Sequence, residues 1–217
     1  TGGKFANGAA GAAFAMVVSL GVEAARKPTA QEVTYARIAQ DVYDPQGKAI
    51  DGYELAGVLE VDKTTGLQYG RYVHNKSGHT VVALAGTNGS GDMAANFSQA
   101  FGKESPHYQK ALNYASAVHD FTGGNVHFVG HSLGGGLAAA SAITTGGSAT
   151  VFNAAGVHSN TVGGLSFDNG SVTHFKSSFD ILQPINALTP ARVPGEQVSL
   201  GAAGLHGMGG VCRAMGC

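Results

Sequence analysis

The chain has 217 residues, of which 43% are hydrophobic and 12% charged, and its net charge is −1. That is the size of one domain with a substantial core, and its scattered Lys and Arg exclude the basic patch or stripe of a nucleic-acid binder. Its 34 glycines follow no repeat, so they point to tight turns and close backbone packing rather than to low complexity.

The chain begins at Thr1 rather than Met and is expected to be a piece of something longer. Residues 5 to 22, FANGAAGAAFAMVVSLGV, carry no charge and are long enough for a membrane span. They are mostly Ala and Gly, so a buried or interface helix is the expectation, not an integral membrane protein. The stretch lacks the basic start, short apolar run and cleavage site of a secretory signal. Residues 1–28 read as an N-terminal segment ahead of one domain, 29–217, which no linker divides.

Thr29 to Glu32 form a capping box after Pro28. They open a helix with an apolar stripe of Tyr35, Ile38, Ala39 and Val42, ended by Pro45 and Gly47. YELAGVLEV (53 to 61) alternates as one half-exposed strand, and LQYGRYVH (67 to 74) returns beside it as a hairpin. TVVALAG (80 to 86) is a continuous apolar run, the pattern of a buried strand. A polar loop, TNGSGD, and a short helix candidate from Met93 to Phe101 follow. Ser105-Pro106 starts the next helix, with Tyr108, Ala111, Leu112, Ala115 and Val118 on its buried face and Gly123-Gly124 as its stop. NVHFVG is a second buried strand, and a small-residue helix runs from Leu133 to Ile143. ATVFNAAG (149 to 156) and SVTHFKSSF (171 to 179) are further buried strands, Glu196 to Leu200 another, and the end is Gly-rich. Cys212 and Cys217 have no zinc spacing; a small disulfide loop and free thiols on a frayed tail both stay open. Buried strands alternating with helices indicate an α/β domain, with a mostly parallel central sheet and an antiparallel hairpin at one edge.

Gly130-His131-Ser132-Leu133-Gly134 matches G-x-S-x-G between a buried strand and a helix, the context of a strained strand-to-helix turn that lifts the serine hydroxyl above the sheet. A plain tight turn is the alternative. A serine nucleophile needs a histidine base, oriented by an acid, and on this fold they follow in the order serine, acid, histidine. After Ser132 the acids are Asp168, Asp180 and Glu196, and the histidines are His158, His174 and His206. Asp180 follows a buried strand, where open α/β sheets carry their sites, whereas Asp168 reads as a turn residue. His206 is the histidine that follows Asp180, in a glycine-flanked loop. His131 is expected to point away and pack. The N–H of Leu133 and that of Thr87, in the loop after an earlier strand, are the expected oxyanion donors. No cofactor or metal is expected.

The AGT loop, VHFVGHSLGGGLAAASA, ATVFNAAG and the early YARIAQDVYD together resemble the class 3 lipases of the α/β-hydrolase superfamily over residues 33 to 210. The resemblance implies an α/β-hydrolase-like fold with helices on both faces of the sheet. It implies Ser132 as nucleophile, Asp180 as acid, His206 as base, Leu133 and Thr87 as oxyanion donors, and hydrolysis of carboxylic esters in acylglycerols or membrane phospholipids. Where that family has Arg-Gly before the oxyanion residue, this chain has Ala85-Gly86, and a supporting ion pair is lost. Residues 88 to 104 are the expected place for a short lid. The opening TGGKFANGAAGAAFAMVV resembles the segment before the toxin domains of bacterial Rhs and related polymorphic toxins. That resemblance implies a parent delivery protein upstream of Thr1, delivery to the membranes of a target bacterial cell, and a cognate immunity protein. A catalytically silent binding or delivery module and a small-molecule esterase are the alternatives.

Overall fold

The computed structural model describes residues 26–86 and 105–217. The N-terminal segment to residue 25, Thr87, the helix candidate Met93 to Phe101 and the place expected for a lid lie outside the described residues.

Helix α1 (Ala30–Asp41) starts on the expected capping box: the Thr29 side chain accepts from Glu32 N–H, and Glu32 reaches back to the Thr29 N–H. Glu32 also pairs with Arg26, which bridges to Glu196. Strands β1 (Tyr53–Leu55) and β2 (Glu60–Val61) both pair antiparallel with β3 (Gln68–His74). The single strand expected over 53 to 61 is therefore two, because Gly57 takes φ 91° between them and turns the chain out of the extended region. Strand β4 (Thr80–Leu84) pairs antiparallel with β3 and is buried throughout.

From β4 onward the sheet is parallel: β5 (Val126–His131), β6 (Ser148–Phe152), β7 (Ser171–Lys176) and β8 (Glu196–Ser199) lie side by side in chain order. Helix α2 (Pro106–Phe121) enters β5, and α3 (Leu133–Thr145) links β5 to β6. Short α4 (Leu182–Leu188) follows β7, and α5 (Met208–Met215) closes the chain.

Alternation along the strands divides the core. Val82, Leu84 and Phe128 face α2 and α3. Val81, Ala83, Val129, Phe152, Phe175 and Val198 face α1 and α5. The described residues thus form the expected α/β sheet with helices on both faces. The Gly-rich end, for which no helix was expected, holds helix α5, with Met208, Val211, Cys212 and Met215 buried on its inner side. Cys212 and Cys217 form a disulfide.

Candidate active site

Every element that reaches Ser132 does so at the carboxyl end of a parallel strand, where the loops of an open α/β sheet converge. Ser132 follows β5 directly and has φ 60° and ψ −128°, a backbone state that costs a non-glycine residue about 1–3 kcal/mol. Its surroundings hold it there. Its N–H donates to the Phe152 carbonyl at 3.1 Å, and its carbonyl accepts from Gly136 N–H at 3.2 Å and Ala155 N–H at 2.9 Å. The flanking glycines are required by packing: a Cβ at position 130 would collide with the Gly134 carbonyl, and one at 134 with the Leu84 carbonyl. Gly136 likewise admits the Tyr108 hydroxyl.

The three residues singled out by chain order meet. His206 Nε2 lies 2.9 Å from Ser132 Oγ, and His206 Nδ1 lies 2.7 Å from Asp180 Oδ2. Asp180 follows β7 and is buried, 3% exposed. Its second oxygen accepts the Leu182 N–H at 2.8 Å, so both carboxylate oxygens are used and the group is aimed at the imidazole. The Ile181 N–H donates to the Leu205 carbonyl at 3.3 Å, fastening the loop of Asp180 to that of His206. Leu133 is the first residue of α3, where a helix N–H has no carbonyl within the helix to bond and the dipole favours negative charge. Thr87 is outside the described residues. The residue before it, Gly86, lies against the serine: a Cβ there would be 3.2 Å from Ser132 Cβ.

The other candidates are occupied elsewhere. His174 Nε2 accepts the Ala154 N–H. His158 Nδ1 accepts the Asn160 N–H. Asp168 sits in a 3-10 turn (Phe167–Asn169), and Glu196 bonds Arg26.

His131 needs a correction. It is buried as expected, but it does not turn away: its ring centroid is 4.8 Å from that of His206, and Nε2 lies 2.5 Å from the His206 carbonyl oxygen. The backbone there is already committed to β5 pairing through His131, which fixes the ring over the His206 loop. Burial, then the neighbouring His206, pushes His131 down to about 4. Two further residues had not been singled out. Asn153 donates from Nδ2 to the His206 carbonyl at 3.3 Å and accepts Ser177 N–H at 2.8 Å. Tyr43 accepts the Gly86 N–H on its hydroxyl at 2.8 Å. Asn153 directly follows β6, so the strand-end rule that selected Asp180 applies to it equally; Tyr43 lies within YARIAQDVYD but has no signal of its own there.

A cavity of about 720 Å³ lies at the other end of the strands, lined by Tyr35, Arg37, Asp51, Tyr53, His74 and His79 among others. None of the three aligned residues borders it.

Residues 34–200 match the Tle-like phospholipase domain of the phospholipase-like family. An extracellular phospholipase A1 of Serratia liquefaciens is 33% identical over 179 residues, 72% of this chain, and the chain spans 56% of that protein's length. Among solved structures, lipase II from Rhizopus niveus superposes with a TM-score of 0.57 at 15% identity, covering 72% of this chain and 75% of its own. A triacylglycerol lipase from Penicillium expansum gives 0.56 at 13% identity, with 80% of each chain covered. These two carry the fold. The family match, with the lipase α/β fold beneath it, identifies the chain as a member of the phospholipase-like family.

Proposed function

We propose that this domain is an A-type phospholipase that hydrolyses the carboxylic esters of membrane phospholipids with Ser132 as nucleophile, His206 as base and Asp180 as the acid that orients it. The observation that carries the reading is the unbroken hydrogen-bond chain from Ser132 Oγ through both ring nitrogens of His206 to Asp180. His206 lies past the residues that match the family, so its role rests on this geometry. The proton of Ser132 passes to His206 Nε2 as Oγ bonds the ester carbonyl carbon. The oxyanion is held by the Leu133 N–H and, in this reading, by that of Thr87. Collapse expels the glycerol-side alcohol, which takes the proton from His206, and water then releases the fatty acid from the acyl-serine by the reverse order of transfers. Asp180 accepts the His206 Nδ1–H and so keeps Nε2 free to take the serine proton.

Lipid as substrate is supported by the surface around these residues. Phe179 and Ile181 flank Asp180, Leu205 precedes His206, and these residues are 65%, 39% and 71% exposed. Large apolar groups clustered at a site mark an apolar partner. The name of the Serratia relative, an extracellular phospholipase A1, supports the A-type assignment and a role outside the producing cell. No helix among the described residues is long and apolar enough to cross a membrane, which fits an enzyme that approaches the bilayer from one side. The N-terminal resemblance to polymorphic-toxin segments supports delivery by a larger Rhs-type protein into a rival bacterium, with an immunity protein protecting the producer.

Replacing Ser132 with Ala is expected to lower hydrolysis of phospholipid vesicles by roughly a millionfold and to abolish labelling by a fluorophosphonate. A variant that still releases fatty acid near the wild-type rate rules the reading out.

A further inference from the structure

The loop that carries His206 is tied to the Asp180 loop through the Leu205 carbonyl, but glycines stand on both sides of the histidine. Gly204 precedes it at φ 103°, and Gly207 follows. Yet the ring must meet Asp180 on one side and Ser132 on the other within hydrogen-bond distance. The His206 carbonyl oxygen is gripped by two buried side chains, His131 Nε2 at 2.5 Å and Asn153 Nδ2 at 3.3 Å, which are 6% and 2% exposed as residues. A carbonyl only accepts, so the His131 ring proton is on Nε2. Nδ1 is then an acceptor, and the Tyr43 hydroxyl lies 3.3 Å from it, with the His131 carbonyl 3.4 Å from the same hydroxyl. That hydroxyl in turn accepts the Gly86 N–H. Gly86 thus donates to Tyr43, the single hydroxyl proton of Tyr43 goes to His131 at its carbonyl or at Nδ1, and His131 donates to the His206 backbone.

The geometry points to His131 as a positioning residue for the reaction: by donating from Nε2 to the His206 carbonyl it sets the imidazole of His206 against Ser132, and through Tyr43 it keeps the loop after β4 in step with that placement. This rests on the reading of Ser132, His206 and Asp180 given above. The groups that face the His131 ring are Tyr43, His206 and Asp180. Burial keeps His131 neutral over the working range and pushes the Tyr43 phenol up to about 12, so both donors persist at neutral pH.

His131→Gln and His131→Phe separate positioning from packing. A glutamine amide can place a donor near the site of Nε2, and is expected to keep kcat within roughly threefold. Phenylalanine fills the space without a donor, and is expected to lower kcat roughly 10- to 100-fold with KM unchanged and melting within a few degrees. A Phe variant as active as the Gln variant overturns the inference. A second measurement needs no variant: nitrogen-15 spectra of the wild-type imidazoles are expected to show His131 neutral and protonated on Nε2 at pH 7. A proton on Nδ1 overturns the inference whether or not the Phe variant folds. If the wild-type protein neither hydrolyses esters nor reacts with a fluorophosphonate, the triad reading fails and takes this one with it. If the wild type is active and the Phe variant equals it, only the positioning role falls.

Discussion

At the residue scale the serine turn is a set of exclusions. Ser132 occupies a positive φ because Phe152, Gly136 and Ala155 hold its backbone, and the two glycines stand where any Cβ would strike a carbonyl. Gly130→Ala is expected to destabilise the protein by roughly 3 kcal/mol or more, since the obstructing atom is backbone and cannot swing away. Soluble yield and urea unfolding measure this; a variant that unfolds with the wild-type midpoint contradicts the packing described. Ser132, Asp180 and His206 were legible in the sequence because chain order and strand ends prune the choices before any geometry is known. Tyr43 and Asn153 were not picked out: Asn153 carries the same strand-end signal as Asp180 but is not a titratable group that a triad calls for, and Tyr43 meets its partner 88 residues away with no chemical role to mark it. His131 was half legible: its burial followed from the apolar strand, its direction did not.

At the scale of elements, the hairpin, the buried parallel strands, α1, α2 and α3 follow from capping, periodicity and apolar runs. Three elements departed from that reading, and of these α4 lies where no helix was expected. The strand over 53 to 61 alternates well enough, but one glycine at φ 91° divides it. Helix α5 carries its signal in Met208, Val211, Cys212 and Met215, spaced for one helical face. Gly209 and Gly210 hide it, each lowering helix propensity by about 1 kcal/mol relative to Ala; packing against α1 overrides them. The bridge from Cys212 to Cys217 then ties the chain end to that buried face. A ring so short constrains the unfolded chain by about 2 kcal/mol. Reduction with dithiothreitol, or Cys217→Ser, is expected to lower the melting temperature by about 4–8 °C. An unchanged melting curve under reduction denies the bridge that role.

At the scale of the whole molecule, two histidines of β5, His131 buried and His127 half-buried, weaken the fold in acid. His127 stacks on Tyr35 at 4.1 Å and shares hydrogen bonds with Ser148 and Thr150 across the sheet. Burial, with His79 adding to it, pushes His127 down to about 3, and His131 is pushed down to about 4. In the unfolded chain both protonate near their ordinary value of about 6.5. Between those values the unfolded state binds more protons, so stability is complete above about pH 6.5 and is lost as pH falls toward 4. The slope is about 1.4 kcal/mol per pH unit for each ring. Urea unfolding at pH 7.5, 6 and 5 measures it, and His127→Gln is expected to remove its share of the slope. Stability that is level from pH 7.5 to 5 contradicts the neutral state of both rings in the folded protein.

Helix α3 starts at Leu133 and is buried on every side from there to Ile143. It touches β4, β5, β6, β7 and α2 together, so no local opening can bare it while the rest stays shut. Its amide protons are expected to be the last in the protein to exchange with heavy water, at the rate of global unfolding. The slowest exchanging amides therefore act as a clock for the serine that begins the helix, and loss of activity on standing should keep the same time.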